Sequence, residues 1–539
     1  MNKIFTQLIE KRGLTHDFLE PKYENLTDPF ELPDMDKAVA RIKTALENSE
    51  KILIYGDYDV DGVTASTVME QTLKFAGVKP ENINIMLPDR FADGYGMSPR
   101  LITRAKDTDT TLVITVDCGS RNHAIVEELN TLKIDSIITD HHETEDTLPD
   151  AVAILNPKRR DAPCEKLNNL AGVGVAFKLA EALVKTGLIK NGLEKWLLDL
   201  VLIGTICDSM TITGENRILC YFGMKVLAKT RRPGLLEVCK IAKVKEINSE
   251  TIGFGIGPRL NAAGRLKTAE IALNLLRTNS HAEAAKLAKK VEDLNRERKT
   301  AQDQAMQEIE QRAPGEKTSV IIETGPWHEG VIGIVAGRLV EKYHKPAFVL
   351  TEVFNGIYKG SGRSFGDFNL AEALNYAKEV IISGGGHAGA AGVKVAEKDL
   401  YAFREKINAY YDSLDLKNQT KYLKFTPDLA LSDLADIDLD LIAELSTLEP
   451  FGQGNEEPIF LLEDFKINRV ILLGANKNHL RIDFADNKGR AIKTIAFFAP
   501  ENWLKLTSDD HVSALIKLVK NEYAGIQTAE ARIVDLSVL

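Results

Sequence analysis

Four apolar runs in the first half of the chain end in acidic residues, and this pattern constrains the fold more than any other feature. ILIY from Ile52 leads into GDYDVDG and presents Asp57, Asp59 and Asp61. TLVITV from Thr111 leads into Asp117, and DSIIT from Asp135 leads into Asp140, His141 and His142. The segment LDLVLIGTICDSM ends near Asp208, and we read it as the fourth acid-ended strand. Helix-like stretches such as VTASTVMEQTLKFAG and HAIVEELNTLK separate the β-rich runs, which also include INIML from Ile83. Strand–helix alternation predicts a parallel sheet with helices on both faces. The carboxyl ends of such strands form the ligand crevice, so acids far apart in sequence meet at one edge.

Carboxylates and imidazoles crowded at one edge repel each other unless cations neutralise them. A pair of divalent metals is the direct solution. Oxygen-rich ligands with some nitrogen suit Mn²⁺ or Mg²⁺ better than cysteine-rich zinc chemistry. Two such ions, roughly 3.5–4 Å apart, activate water and neutralise a phosphoryl centre. One strand-end Asp is most often a cap or turn residue, and GDYDVDG alone fits a Ca²⁺ or Mg²⁺ loop or a tight turn. Three further acid-ended runs, one followed by two histidines, separate this chain from that reading.

The net charge of −10 and pI near 5.7 count against a uniformly basic nucleic-acid binder. A basic groove on an acidic body remains open, because metal-binding carboxylates add to the acidic count. The five cysteines (118, 164, 207, 220 and 239) form no CxxC pair, which points to reduced thiols in a cytoplasmic protein and away from a disulfide framework. No apolar run approaches the ~20 residues that span a bilayer, so no membrane association is expected. The start, MNKIFTQLIEKRGLTHDFLE, shows no signal-peptide core and argues against export.

A chain of 539 residues exceeds one hydrophobic core, and the patterning divides it. Residues 1–50 are helix-leaning and carry no interpretable motif. Residues 51–280 form the acid-bearing α/β domain, with helical segments from Ala171 onward. Residues 281–312 read as one long polar helix with a narrow apolar stripe, which suits a bridge between domains. A smaller α/β unit follows at 318–411, then the polar linker DSLDLKNQTK. Residues 422–539 hold short alternating β runs (IFLLEDFKINRVILL, HLRIDFA, AIKTIAFF, ARIVDLSVL) and suggest a small barrel.

YGDYDVDG, LPDRFADGYG, VDCGS, TDHH, GTICDS, GPRLNAAGR, WHEGVIGIVAGRL, GSGRS and GGGHAGAAG occur in this order, followed by LEPFGQGNEEPIF. In these motifs the chain resembles the RecJ-type exonucleases of the DHH phosphoesterase family, from Lys51 to Gly392 and again from LEPFGQGNEEPIF. The resemblance implies a catalytic DHH domain, a connecting helix, a smaller DHHA1 domain and a C-terminal oligonucleotide/oligosaccharide-binding (OB-like) barrel. Carried over by position, it implies that Asp59 and Asp117, with Asp57, hold one metal. Asp61, Asp117, His141 and Asp208 hold the other, with Asp117 bridging. His142 then faces the scissile phosphate, and Asp140 orients a histidine. The activity implied is 5′-to-3′ hydrolysis of single-stranded DNA to 5′-mononucleotides, in repair and recombination, with a helicase and a single-strand-binding protein as partners.

Several residues suit phosphate handling. Gly385, Gly386 and His387 sit in GGGHAGAAG, where missing side chains allow close backbone approach to an anion. Ser361, Arg363 and Ser364 in GSGRS offer phosphate donors, and guanidinium geometry suits bidentate contact. Arg259 and Arg265 in GPRLNAAGR, and Arg90 in LPDRFADGYG, are further candidates. A glycine-rich turn packed on a helix, and solvated loop arginines, are the structural alternatives. Two rival enzymes share the superfamily: a phosphodiesterase for short oligonucleotides or cyclic dinucleotides, and an inorganic pyrophosphatase. The C-terminal module counts against both. A non-catalytic DNA-binding scaffold is expected to lose metal ligands, and none is lost here.

Overall fold

The computed structural model describes residues 2–94, 96–312, 318–414, 425–474, 477–486, 488–508 and 510–538. In the first domain β1 (Ile52–Gly56), β2 (Ile83–Met86), β3 (Leu112–Val116), β4 (Asp135–Thr139) and β5 (Ala153–Leu155) form one sheet. All its pairings are parallel, in the order β2-β1-β3-β4-β5. Successive side chains point to opposite faces, as a strand requires. Ile52 and Ile54 of β1 pack with the helices Val60–Phe75 and Gly172–Lys185. Leu53 and Tyr55 pack against Pro99–Asp107 and His123–Thr131 on the other face. The strand order reverses between β1 and β3, so the crevice opens at their carboxyl ends.

LDLVLIGTIC is not a strand. Leu198–Cys207 is a helix, buried from Leu198 to Thr205, and Asp208 follows its last turn. A uniformly apolar run has no periodicity that separates a buried strand from a buried helix. Its length and its burial against the helices Val60–Phe75 and Gly214–Leu227 favour the helix.

The bridging helix spans His281–Glu310, with Ser280 capping it by accepting the Glu283 amide at 3.3 Å. Beyond it, β6 (Ile321–Thr324), β7 (Ala347–Phe354), β8 (Ile357–Arg363), β9 (Ser383–Gly386) and β10 (Ala390–Ala396) form a mixed sheet in the order β6-β7-β8-β10-β9. Only β6 and β7 are parallel, linked through the helix Glu329–Tyr343. Residues 415–421 of the expected linker lie outside the described residues.

The C-terminal domain contains β11 (Leu429–Leu431), β12 (Phe460–Leu473), β13 (His479–Ala485), β14 (Ala491–Ala496), β15 (His511–Tyr523) and β16 (Ile526–Val538). The order β12-β13-β14-β16-β15 closes through a β12–β15 pairing, so five strands make a barrel with no open edge. β15 is missing from the β runs read from sequence, although its Val512, Ala514, Ile516 and Leu518 alternate inward.

Residues 1–50 are not a separate unit. Ile4, Phe5 and Leu8 of the helix Lys3–Arg12 complete the barrel core, and Arg12 binds Asp428 bidentately at 2.6 and 2.8 Å. The helix Met35–Glu47 instead packs on the first domain. Among the described residues no helix is long and apolar enough to cross a membrane.

Candidate active site

β1 delivers Asp57, and Asp59 caps the helix that follows by accepting the Gly62 amide at 3.0 Å. That turn puts Asp61 inside the first helical turn, nearly fully buried. Asp61 in turn meets the start of the helix Gly172–Lys185, where Gly172 and Val173 donate their amides to its carboxylate at 2.6 and 2.9 Å. The positive end of that helix thus fixes the carboxylate. Asp117 follows β3 in the left-handed region (φ +62°), an uncommon state for a residue with a side chain. A Cβ on Gly172 would stand 2.5 Å from the Asp117 side chain, so the helix start can approach this close only as glycine.

Three strand ends and one helix end then converge. His141 Nε2 lies 3.1 Å from Asp117, 3.6 Å from Asp208 and 3.8 Å from Asp61. Ligand atoms of Asp61, His141 and Asp208 lie within 4.8 Å of one another, as do those of Asp57, Asp59 and Asp117. A third overlapping group joins Asp117 and His141 to His142. His142 Nδ1 sits 2.8 Å from Asp140, whose other oxygen accepts the Ser120 amide at 3.0 Å.

The electrostatics of this cluster ask for cations. Burial, then the neighbouring carboxylates, push Asp61 up to about 7 and Asp208 up to about 8. Asp57 and Asp117 are pushed well above the carboxylate range for the same reasons. Burial and the nearby His142 charge pull His141 down to about 3, leaving a neutral imidazole able to donate a lone pair. Asp57 Oδ1 and Asp117 Oδ1 are buried without a hydrogen-bond donor among the described residues. At 3.1 Å the Asp117 oxygen and the His141 nitrogen repel unless a proton or cation lies between them. The orphaned oxygens, the neutral imidazole and the all-oxygen-and-nitrogen donor set fit two hard divalent ions. Asp140 behaves differently: burial opposes its charge, but hydrogen bonding and charge from His142 hold it below the usual range. His142 is raised against its own burial by the same contact.

The arginines expected from sequence divide into two sets. Arg90 stacks over the Tyr58 ring at 4.9 Å, on the loop beside the acidic cluster. Burial and the charges of Arg90, Arg298 and Arg363 depress Arg265 to about 9. Arg363 at the end of β8 is lowered by burial and Arg90, and hydrogen-bonds Ser361 Oγ at 3.3 Å. Arg90, Arg265 and Arg363 therefore converge between the two α/β domains, with no carboxylate among the described residues pairing any of them. Arg259 points elsewhere and pairs with Glu292 of the bridging helix at 2.6 Å. The Ser364 hydroxyl is taken by the Phe368 carbonyl. GGGHAGAAG forms the β9–β10 hairpin, which packs against the helix Leu370–Tyr376 through Gly384 and leaves its tip exposed; Gly385 and Gly386 lie on the edge strand. His387 is exposed at its tip, and the neighbouring Ala390 pairs with Arg363.

Other groups escaped the sequence reading. The Gly172 and Val173 amides carry no side-chain signature. Asn156 ties the His142 carbonyl to Ser120 at 2.9 and 2.8 Å, and Lys158 acts on His141 and Asp208 by charge. Both lie in NPKR after β5, where only their place beside the strand end marks them. Trp327 of WHEGVIGIVAGRL is buried and donates to Glu308 of the bridging helix at 2.8 Å. The neighbouring His328 caps the helix Glu329–Tyr343 through the Gly330 amide and meets Phe91 edge-on.

Family models match along the chain: the DHH family N-terminal domain over 51–205, the DHHA1 domain over 317–413 and the RecJ OB domain over 428–535. The single-stranded-DNA-specific exonuclease RecJ of Bacillus subtilis (strain 168) is 35% identical over 547 residues, covering 99% of this chain and 68% of that protein. The chain belongs to the RecJ family. The fold agrees with a RecJ crystal structure in complex with Mn²⁺ from Thermus thermophilus, at TM-score 0.85 and 28% identity, over 100% of this chain and 76% of that one. A RecJ structure from the same organism in complex with Mg²⁺ superposes at TM-score 0.78 and 27% identity, over 99% and 74%. Mn²⁺ and Mg²⁺, the metals expected from the carboxylates, are thus the ions named in these two RecJ complexes.

Proposed function

We propose that the chain is a metal-dependent exonuclease that hydrolyses single-stranded DNA from the 5′ end and releases 5′-mononucleotides. The observation that carries this reading is an acid-and-imidazole cluster facing three arginines outside any ion pair among the described residues. The first recruits cations and the second recruits phosphate, and they adjoin through Asp59 and Arg265. Asp57, Asp59 and Asp117 would hold one ion, and Asp61, His141, Asp208 and Asp117 the other. Two divalent ions held there would make water a competent nucleophile at neutral pH and would neutralise charge on the phosphoryl oxygens.

The remaining roles fall to the protein. Arg90, Arg265 and Arg363, with Ser361, hold the phosphate at the 5′ end and set the strand's direction. His142, kept protonated by Asp140, donates to a phosphoryl oxygen as charge develops there. Gly385, Gly386 and His387 close the opposite side from the β9–β10 hairpin. A cavity of ≈1140 Å³ runs from Cys207, Ser209 and Arg265 to Lys517 and Lys520 of the barrel, offering a path for the trailing strand. On the barrel, Phe497 and Phe498 stand 57% and 76% exposed around His479, a surface suited to base stacking.

Repair and recombination are the proposed setting, with a helicase and a single-strand-binding protein supplying the strand. The cytoplasm is the proposed compartment; all five cysteines are free thiols. The deciding experiment is Mn²⁺-dependent digestion of matched single- and double-stranded DNA, labelled separately at each end. Immediate release of labelled mononucleotide from 5′ ends of single strands supports the proposal. Cleavage confined to dinucleotides, cyclic dinucleotides or pyrophosphate overturns it.

A further inference from the structure

The bridging helix His281–Glu310 buries Ala284, Ala288, Val291, Leu294, Ala305, Met306 and Ile309 along one stripe. Where the stripe crosses the middle of the helix, the buried residues are instead Asn295, Arg298 and Gln302, at 1%, 9% and 3% exposure. Polar side chains in a stripe that faces other domains are expensive to bury, and most buried guanidiniums are paired with a carboxylate. Arg298 is not. Asn295 Oδ1 accepts from its Nη2 and Nε at 3.0 and 3.3 Å, and Gln302 Oε1 accepts from Nη1 at 3.0 Å. Both acceptors are neutral amides, placed at the i−3 and i+4 positions that share a helix face. Among the described residues Arg298 makes no ion pair. Asp303, the carboxylate that acts on it by charge, is itself held by Arg338 at 2.7 Å.

Two amides thus fix the plane of a guanidinium without cancelling its charge. Its surroundings make that charge more conspicuous. Arg298 lines the cavity that runs to the barrel, together with Arg265, Asn261 and Ile334. Asn261 Oδ1 there is buried without a hydrogen-bond partner among the described residues. Arg265 and Arg298 repel each other across this wall. A fold gains nothing from holding two unneutralised guanidiniums together unless an anion visits both.

We propose that Arg298 is a strand-binding residue that takes a second backbone phosphate, beyond the one held at the acidic cluster. Asn295 and Gln302 are its positioning residues: they present the guanidinium edge-on to the cavity. The inference rests on the exonuclease reading and adds a grip on longer strands. Arg298 acts on substrates long enough to reach it and leaves the chemistry of a dinucleotide untouched.

The test compares kcat/KM of the Mn²⁺-loaded full chain for 5′-phosphorylated oligothymidylate about 20 nucleotides long with that for a 5′-phosphorylated thymidine dinucleotide, between about 50 and 200 mM salt. Arg298→Gln should lower kcat/KM for the long strand about tenfold and leave the dinucleotide within about twofold. Its salt slope on the long strand should shrink by roughly 0.7 to 1, the signature of one lost phosphate contact. Equal losses on both substrates, or an unchanged slope, overturn the proposal, because a purely structural residue does not sort substrates by length. If Arg298→Gln does not fold, Arg298→Lys decides. It should keep the wild-type slope and lose kcat/KM on the long strand only; loss on both substrates, or on neither, overturns the assignment. Failure of the exonuclease reading itself is separate, since the wild-type chain would then leave the long strand uncut.

Discussion

The partly exposed His142 imidazole and the buried Asp140 carboxylate form a hydrogen-bonded pair, Nδ1 to Oδ1 at 2.8 Å. Asp140 also accepts the His141 and His142 amides at 2.8 and 3.2 Å and the Ser120 amide at 3.0 Å. A carboxylate with that many donors stays ionised, so it both aims the ring and keeps a proton on it. Asp140→Asn should lower turnover by about 10–100-fold, in the range of other orienting partners of active-site imidazoles. The pH dependence carries the sharper expectation. Asp140 raises the His142 pKa, so its neutralisation should move the alkaline limb of the rate profile to lower pH. An unshifted limb would remove His142 from the proton-donor role.

The acidic cluster makes a linked prediction for the metal-free protein. Asp61 and Asp208 have pKa values raised to about 7 and 8, so the folded chain holds protons that the unfolded chain releases near pH 4. From pH 4 upward the unfolded state therefore binds fewer protons, and stability falls until both groups have ionised above pH 8. Thermal melts of EDTA-treated protein should show this decline, and Mn²⁺ should abolish it. Conversely, Mn²⁺ affinity should weaken as pH falls from about 8 to 6, with proton release measurable by calorimetry in buffers of different ionisation enthalpy. Asp117→Asn should abolish turnover and stabilise the metal-free fold near neutral pH by on the order of 1–2 kcal/mol, because an amide spares folding the cost of protonating a carboxyl whose pKa burial and its neighbours raise.

Gly172 offers a test of how closely the cluster is built. A methyl group at this position would overlap Asp117 Cβ and Oδ1 at 2.5 Å. Gly172→Ala must displace either the helix start that fixes Asp61 or the carboxylate proposed to bridge the ions. Mn²⁺ affinity should fall at least about tenfold, while the secondary structure seen by circular dichroism stays intact. Wild-type affinity in a folded variant would show that the two carboxylates are not mechanically joined through this helix.

The sequence made the sheet legible because its strands end in chemistry. Asp57, Asp117 and His141 each follow a short β-rich run, and parallel order brings such ends together. Asp208 was placed in the cluster for a reason that does not hold: it follows a buried helix, and periodicity is silent in a run as uniformly apolar as LDLVLIGTIC. Gly172 and Val173 contribute backbone amides, and backbone carries no residue-type signal. Arg259 and Arg265 stand six positions apart in one motif, yet one faces Glu292 and the other faces the cleft. Helical phase decided between them, and the short GPRLNAAGR segment does not reveal it. The helix Lys3–Arg12 looked featureless because its partners, Asp428 and the barrel core, lie more than four hundred residues away.

The final prediction concerns how the barrel is held over the site. Arg217, fully buried in the helix Gly214–Leu227, donates to the carbonyls of Leu448 and Glu449 at 2.8 and 2.6 Å and of Thr447 at 3.2 Å. Its Nε reaches the Phe18 carbonyl at 3.2 Å, and its guanidinium lies 4.4 Å from the Phe18 ring. One side chain thus ties the catalytic domain to the barrel's approach segment and to the N-terminal segment. Nearby contacts across the same junction, Lys520 to Glu246 and Arg532 to Glu250, are exposed and contribute little. Removing Arg217 takes the side-chain donor from the part-buried carbonyls of Phe18, Thr447 and Glu449, while Leu448 keeps the Asn455 amide at 2.9 Å; the loss costs on the order of 3 kcal/mol. That loss falls on the junction rather than on either core. Arg217→Ala should therefore split thermal unfolding into two transitions, the barrel melting first. Turnover of a dinucleotide should persist, while kcat/KM on long single strands falls. A single transition at the wild-type temperature, with unchanged long-strand kinetics, would show that the barrel is held by its broader apolar contacts and that Arg217 is dispensable.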